Sequence, residues 1–377
     1  MRVYLDNAAT TALAPEVLEA MMPYLTNDFG NPSSQHSHGR TTRAAIEQAR
    51  KKIAQLLNAQ TSEIIFTSGG TESSNIALCG AVRNLKAKRI LINPLEHHCV
   101  LHTAEFLEKN DGIELEYLKI NAFGEIDLVH LEKLLKSSDK ITLVSIMHGN
   151  NEIGTLSNLE TIAELCKRYN AYFHSDTVQT IAHYQYDLSK TNIHFITGSA
   201  HKFHGPKGIG FLYIKKGIQI EPLIIGGGQE RNKRAGTENL YGIVGMAHAM
   251  DLAYNHLETE RSYIQSLKNY LFNGLKEIFS DIEVNGAIEA EKSLFTLLNL
   301  SFPPNNKGPL LLFNLDMEGI SVSGGSACSS GASTGSHVIN ALKKDPERVS
   351  IRFSFSKYNT IEELDFTLDK IKKVFAT

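Results

Sequence analysis

The sequence predicts an α/β protein in which a mostly parallel sheet is wrapped by helices and a smaller α+β lobe is appended. The first observation is alternation: short β-branched runs recur between longer segments whose apolar residues return at helical spacing. The second is distribution, since all six runs before the long helical stretch described below fall in the first two thirds of the chain. The third is size. With 377 residues, 42% hydrophobic and 21% charged, the chain carries a core large enough to stand without staples and exceeds a typical single domain.

The predicted strands are Glu63–Phe66, Arg89–Asn93, Lys140–Met147, Ala171–Ser175, His194–Thr197 and Ile209–Ile214, each followed by polar or glycine-bearing residues where a sheet would end. Between them, Thr41–Leu57 sets apolar residues against an Arg/Lys face, and Asn158–Tyr169 repeats the pattern with Ser157 as the expected cap. From about Glu238 to Phe279 the pattern is almost unbroken helix, suited to joining two domains. The expected division is therefore a large domain over 14–255, with 1–13 and 256–377 forming the small one. The remainder predicts strands at Leu294–Phe302, Ser321–Val322 and Val349–Phe355 and a closing helix at Thr360–Phe375.

Composition excludes several classes of function. Thirty-eight basic against forty-one acidic residues give a net charge of −3, so no field holds a nucleic-acid backbone directly. The four cysteines, Cys79, Cys99, Cys166 and Cys328, form no CxxC pair, which fits a reducing cytoplasm better than a disulfide framework or a structural zinc site. No apolar run reaches the roughly 18 residues of a membrane span. His98 and His102 stand at helical i, i+4 spacing, but HExxH is absent and no metal site is expected.

Three segments carry candidate chemistry. Ser68-Gly69-Gly70-Thr71-Glu72 follows a strand and opens a helix, so bare N–H groups and hydroxyls meet the positive end of a helix dipole, an anion cradle or else only a tight turn. Neither GxxxxGK[ST] nor GxGxxG occurs, which disfavours nucleotides. Gly198–Gly210 ends one strand and begins another. It offers Lys202, with Lys207 as competitor, as a lysine whose partial desolvation would make it nucleophilic; a solvated loop lysine is the plainer alternative. Asp176 ends a buried-looking strand, placed to pair with a protonated pyridine nitrogen or simply to cap a helix. A phosphate cradle, a strand-end lysine and a strand-end aspartate together are the parts that hold pyridoxal 5'-phosphate.

Over essentially its whole length the chain resembles the cysteine desulfurases, class-V aminotransferase-like enzymes of PLP fold type I. The motifs that carry the resemblance run in order. They are Tyr4–Thr11, Ser68–Glu72, Glu96-His97, His148–Gly154, His174–Asp176, His201-Lys202, Arg234–Thr237, Ser326–Cys328 and Ser350–Ser354. The resemblance implies that Lys202 links covalently to the cofactor, Asp176 pairs with the ring nitrogen, His97 stacks on the ring and Gln179 touches its phenolic oxygen. Gly70, Thr71, Ser199 and His201 would hold the phosphate, with Thr237 reaching the phosphate of the neighbouring subunit in a homodimer. Asn151 and Arg352 fall where the family binds cofactor and substrate carboxylate, a task suited to a planar guanidinium.

Cys328 stands in Ser323–Ser333, almost entirely glycine, alanine and serine, a tether with nothing to pack. Cys79 and Cys166 sit in apolar helical patterns and read as inert, while Cys99 beside His97-His98 is the next thiol to consider. The implied reaction converts L-cysteine to L-alanine, with the sulfur captured as a persulfide on Cys328. Lys202 serves as the base and His97 as a proton carrier. The long cysteine loop resembles the branch that passes sulfur to a protein acceptor, an iron–sulfur scaffold or an RNA-thiolating enzyme. Gln229 and Ala235 depart from the usual histidine and serine of the family and bear on the site's edge. The rivals are a selenocysteine lyase, a class-V transaminase and a catalytically silent docking subunit.

Overall fold

The computed structural model describes residues 1–304, 310–324 and 335–376. In chain order the strands are β1 (Val3–Tyr4), β2 (Ile64–Thr67), β3 (Arg89–Ile92), β4 (Glu114–Tyr117), β5 (Thr142–Ser145) and β6 (Tyr172–Asp176). They continue as β7 (Phe195–Ser199), β8 (Gly210–Ile214), β9 (Glu283–Val284), β10 (Leu297–Phe302), β11 (Ile320–Ser321) and β12 (Val349–Ser354).

Seven of them form one sheet in the order β2-β8-β7-β6-β5-β3-β4. β8 alone runs antiparallel, against both β2 and β7, and the other pairings are parallel. The six expected strands are all present. β4, unexpected from the sequence, is added at the edge: its Glu-Leu-Glu-Tyr run is only partly buried, so it lacks the apolar signature of a central strand.

One face of the sheet is covered by α1 (Pro15–Thr26), α2 (Ser37–Leu56), α5 (Leu128–Lys136), α6 (Leu159–Arg168) and the helix Leu240–Asn255, which share one apolar core. The other face is covered by α3 (Gly70–Arg83) and α4 (His98–Asp111) through a second core. The cap of α6 is Asn158 and not Ser157: its side chain accepts from the Thr161 N–H, the geometry that satisfies an orphan donor of the first turn. The expected long helix is two helices, Leu240–Asn255 and Leu257–Ile278, with His256 outside helical geometry between them.

Beyond that break, β12-β10-β9 form an antiparallel sheet and β1 pairs in parallel with β11. A third core unites Val3 and Leu5 with Leu267, Leu271, Leu300, Ile351 and Phe353. The N-terminal strand is thereby packed among residues near the C-terminus.

Candidate active site

The register of β6 against β7 pairs Asp176 with Thr197, which brings Asp176 and Ser199 to the same edge of the sheet. There the chain leaves a cavity of about 250 Å³ lined by Gly70, Thr71, His97, Asn151, Asp176, Gln179, Ser199, His201, Lys202 and Arg352. Residues scattered from position 70 to 352 thus meet at one place.

One end of the cavity is built from bare backbone. Gly69 has φ +152°, a conformation that side-chain-bearing residues rarely adopt, and a Cβ on Gly70 would stand 2.8 Å from Val178 Cγ2. The turn delivers the N-terminus of α3 to the cavity, where unpaired N–H groups and the helix dipole favour an anion. Glu72 braces it. Its Oε2 accepts from the Ser68 N–H at 2.8 Å and its Oε1 from Arg234 Nε at 2.9 Å, so hydrogen bonds and the guanidinium hold its carboxyl below the usual range despite burial.

Lys202 follows β7 in a turn closed by the Gly205 N–H on the Ala200 carbonyl. Its ammonium donates to the carbonyls of Ala8 and Ala9 at 2.7 and 2.8 Å. Lys207 is exposed and lies away from the cavity lining, so position decides between the two lysines. The Ala8 carbonyl also accepts from Gln179 Nε2 at 2.9 Å. The N-terminal segment therefore closes over the lysine. It was visible in the sequence as the Tyr4–Thr11 motif, without a role.

Asp176 is only 6% exposed. Its Oδ1 accepts from the Val178 N–H at 2.9 Å, and the chain then continues as turns, so this aspartate caps no helix. Burial raises its pKa to about 6, against the downward pull of the Val178 N–H and Lys202. It has no ion-pair partner among the described residues.

His97 caps α4. The Cys99 N–H donates to its Nδ1 at 3.2 Å, and Cys99 Sγ lies 3.1 Å away, so the ring proton stands on Nε2. Burial and the Lys202 charge lower its pKa to about 4. Burial also pushes the Cys99 thiol far up, away from thiolate character. Cys79 and Cys166 are buried with raised pKa values as well. Cys328 lies outside the described residues.

Arg352, 1% exposed, donates from Nη1 to the Asn151 carbonyl and from Nη2 to Asp6, each at 2.7 Å, and its buried Nε has no partner among the described residues. Thr237 is exposed and does not line the cavity. Gln229 accepts from the Gly236 N–H at 3.1 Å and Ala235 is buried; the two positions shape the Thr237 segment from outside the cavity. His98 and His102 stack at 4.9 Å, and His337 packs on His98 at 4.7 Å. Among the described residues no group of three or more His, Cys, Asp or Glu is arranged to hold a metal. No helix among them is long and apolar enough to cross a membrane.

Sequence reasoning gave no role to Asp6, Glu72 or Glu96. Glu96 is fully buried; its Oε1 accepts from the Met147 N–H at 2.5 Å, its Oε2 is unpartnered among the described residues, and burial beside Asp176 raises its pKa well above the carboxylate range. All three lie inside the quoted motifs, which is the signal that was available.

The class-V aminotransferase family profile matches residues 3–366. The chain is 46% identical over 376 residues to a cysteine desulfurase IscS of Dictyoglomus turgidum, covering 99% of this chain and 94% of that protein. Among solved structures it is similar to a NifS-like protein, with TM-score 0.92, 38% identity and full coverage of both chains. It is also similar to SspA in complex with cysteine, with TM-score 0.82, 32% identity and coverage of 96% of this chain and all of that one.

Proposed function

The chain belongs to the class-V aminotransferase family and is a cysteine desulfurase, and from that premise we propose how its own residues divide the work. The family generally depends on pyridoxal 5'-phosphate, and the cavity fits that group on three counts. A glycine cradle at a helix N-terminus meets a phosphate, a buried carboxylate without an ion-pair partner among the described residues meets a cationic ring nitrogen, and Lys202 is within the same cavity. Gly70, Thr71, Ser199 and His201 would hold the phosphate, Asp176 the ring nitrogen, Gln179 the phenolic oxygen and Asn151 the cofactor's rim, and His97 would lie against the ring. When bound, the cofactor supplies the electron sink for the carbanion left by loss of the α-proton of L-cysteine.

Lys202 would hold the cofactor through Nζ, and the same Nζ, when free, would be the base for the α-proton. Arg352 and Asn151 orient the substrate carboxylate. His97, neutral at physiological pH, carries a proton on Nε2 that it can exchange with a thiol facing the cavity. Cys328 thiolate attacks the substrate sulfur; the C–S bond breaks, the sulfur stays on Cys328 as a persulfide, and protonation of the carbon gives L-alanine. The persulfide passes to a protein acceptor, an iron–sulfur scaffold or an RNA-thiolating enzyme.

Residues 14–255 are proposed as the cofactor lobe, with 1–13 and 256–377 as the lobe bearing Cys328; the helix break at His256 and the third core support this division. A second copy of the chain completes the site. α1 leaves Leu18, Met22 and Leu25 exposed, and Thr237 stands outside its own cavity, as a residue serving a partner's phosphate would. A cytoplasmic location accords with the cysteine usage.

The observation that carries the reading is the convergence of Lys202, Asp176, His97 and Arg352 on one cavity with a glycine cradle. The test is to incubate the holoenzyme with L-cysteine and a reductant and quantify sulfide and alanine. Equimolar products are expected, and alanine without sulfide would refute it. Running L-selenocysteine in parallel separates the lyase reading by the ratio of kcat/KM.

A further inference from the structure

Arginine offers five N–H donors in a rigid plane. In Arg352, among the described residues, two are committed, Nη1 to the Asn151 carbonyl and Nη2 to Asp6 Oδ1, while Nε is buried without a partner in a residue that lines the cavity. The same Asp6 oxygen accepts from Ser323 Oγ at 2.8 Å. Ser323 is itself locked to Arg352 by an antiparallel bridge, with N–H to carbonyl distances of 3.3 and 2.6 Å. One carboxylate oxygen thus joins three chain segments: the N-terminal motif, β12 and the residue five positions before Cys328.

We propose that Asp6 is a positioning residue for the substrate carboxylate: by holding Arg352 and Ser323 on a single oxygen it fixes the guanidinium plane toward the cavity. This rests on the reading that Arg352 binds that carboxylate. Two effects of Asp6 compete. Its negative charge repels an incoming carboxylate, whereas its grip removes the rotational freedom that Arg352 would otherwise lose on binding. The Asp6 side chain is 17% exposed, against 1% for Arg352, so water screens part of the repulsion while the geometric restraint is undiminished. Orientation therefore outweighs charge, as it does wherever a bidentate clamp must meet its ligand in register.

The test uses the holoenzyme and a matched pair of probes, L-alanine and ethylamine, which differ only by the carboxylate, with binding read from the visible spectrum at equilibrium. Asp6→Ala is expected to weaken L-alanine about tenfold and leave ethylamine unchanged, a loss that removal of a carboxylate-specific contact produces and a general disturbance does not. Asp6→Asn, which keeps an acceptor oxygen, should recover most of that loss. Ser323→Ala removes only the second donor and should weaken L-alanine about two- to threefold, which keeps the proposal testable should Asp6→Ala not fold. Arg352→Gln separates the two readings. If it weakens L-alanine while Asp6→Ala, or Ser323→Ala in its place, leaves the binding unchanged or tightens it, the proposal is overturned and the Arg352 assignment stands. If Arg352→Gln leaves the alanine-to-ethylamine ratio unchanged, the assignment itself fails.

Discussion

Replacing Asp176 with asparagine should stabilise the cofactor-free protein while destroying its use. Burial raises the Asp176 pKa from 3.8 to about 6. A group whose folded pKa is raised favours the folded state below its unfolded value, and that contribution is lost as pH rises through the folded one. The window therefore spans about pH 4 to 6, and above it the charged carboxylate costs about 3 kcal/mol, at about 1.36 kcal/mol for each pH unit of that window. Asparagine keeps an Oδ1 acceptor for the Val178 N–H and carries no charge to desolvate. The assay is urea unfolding of the cofactor-free wild-type and Asp176→Asn proteins at fixed protein concentration, at pH 4 and pH 8. The variant should be more stable by about 3 kcal/mol at pH 8 and nearly equal at pH 4. An equal gain at both pH values, or a loss at pH 8, would refute the argument that desolvation of this carboxylate is offset only by a cationic ligand.

Lys202→Ala should lose the visible absorbance that borohydride can fix to the chain and retain some pyridoxal phosphate held through Thr71 and Ser199; a colourless wild type that stays colourless with added cofactor refutes the cofactor assignment. Cys328→Ala should leave the resting spectrum unchanged and abolish sulfide release, checked with a sulfide assay; full turnover would move the nucleophile elsewhere, and Cys99 is a poor replacement because burial holds its thiol protonated. Light scattering should report a dimer, and Thr237→Ala should weaken cofactor retention by about 1.5–3 kcal/mol, the worth of one hydrogen bond to a charged group; a fully active monomer counts against the shared site. Glu230→Ala should destabilise by about 3 kcal/mol in chemical denaturation because it leaves the buried Arg50 guanidinium only the half-exposed Glu47 as a carboxylate partner. Glu230 meets Arg50 at 2.7 and 2.8 Å and also accepts the Phe66 N–H, so a change under 1 kcal/mol, small beside about 3 kcal/mol, would show the pair to be solvated.

Local pattern determined much of this protein. The six predicted strands are short runs ended by polar or glycine-bearing residues, a signal that survives without tertiary knowledge, and the amphipathic stripe of α2 extends only a few residues beyond its predicted start. The ordered motifs likewise named the cavity residues, because a glycine with a positive φ or a lysine at a strand end is required by what its own few neighbours do. β4 was illegible because its Glu-Leu-Glu-Tyr run is only partly buried and lacks the β-branched residues that mark the other strands, and the break at His256 because both flanking segments favour helix. Which lysine faces the cavity, the depth to which Asp176 is desolvated, and the sharing of Asp6 between Arg352 and Ser323 were decided by tertiary structure alone. Those properties depend on distances between residues up to 346 positions apart, and a sequence encodes them only through the fold that brings them together.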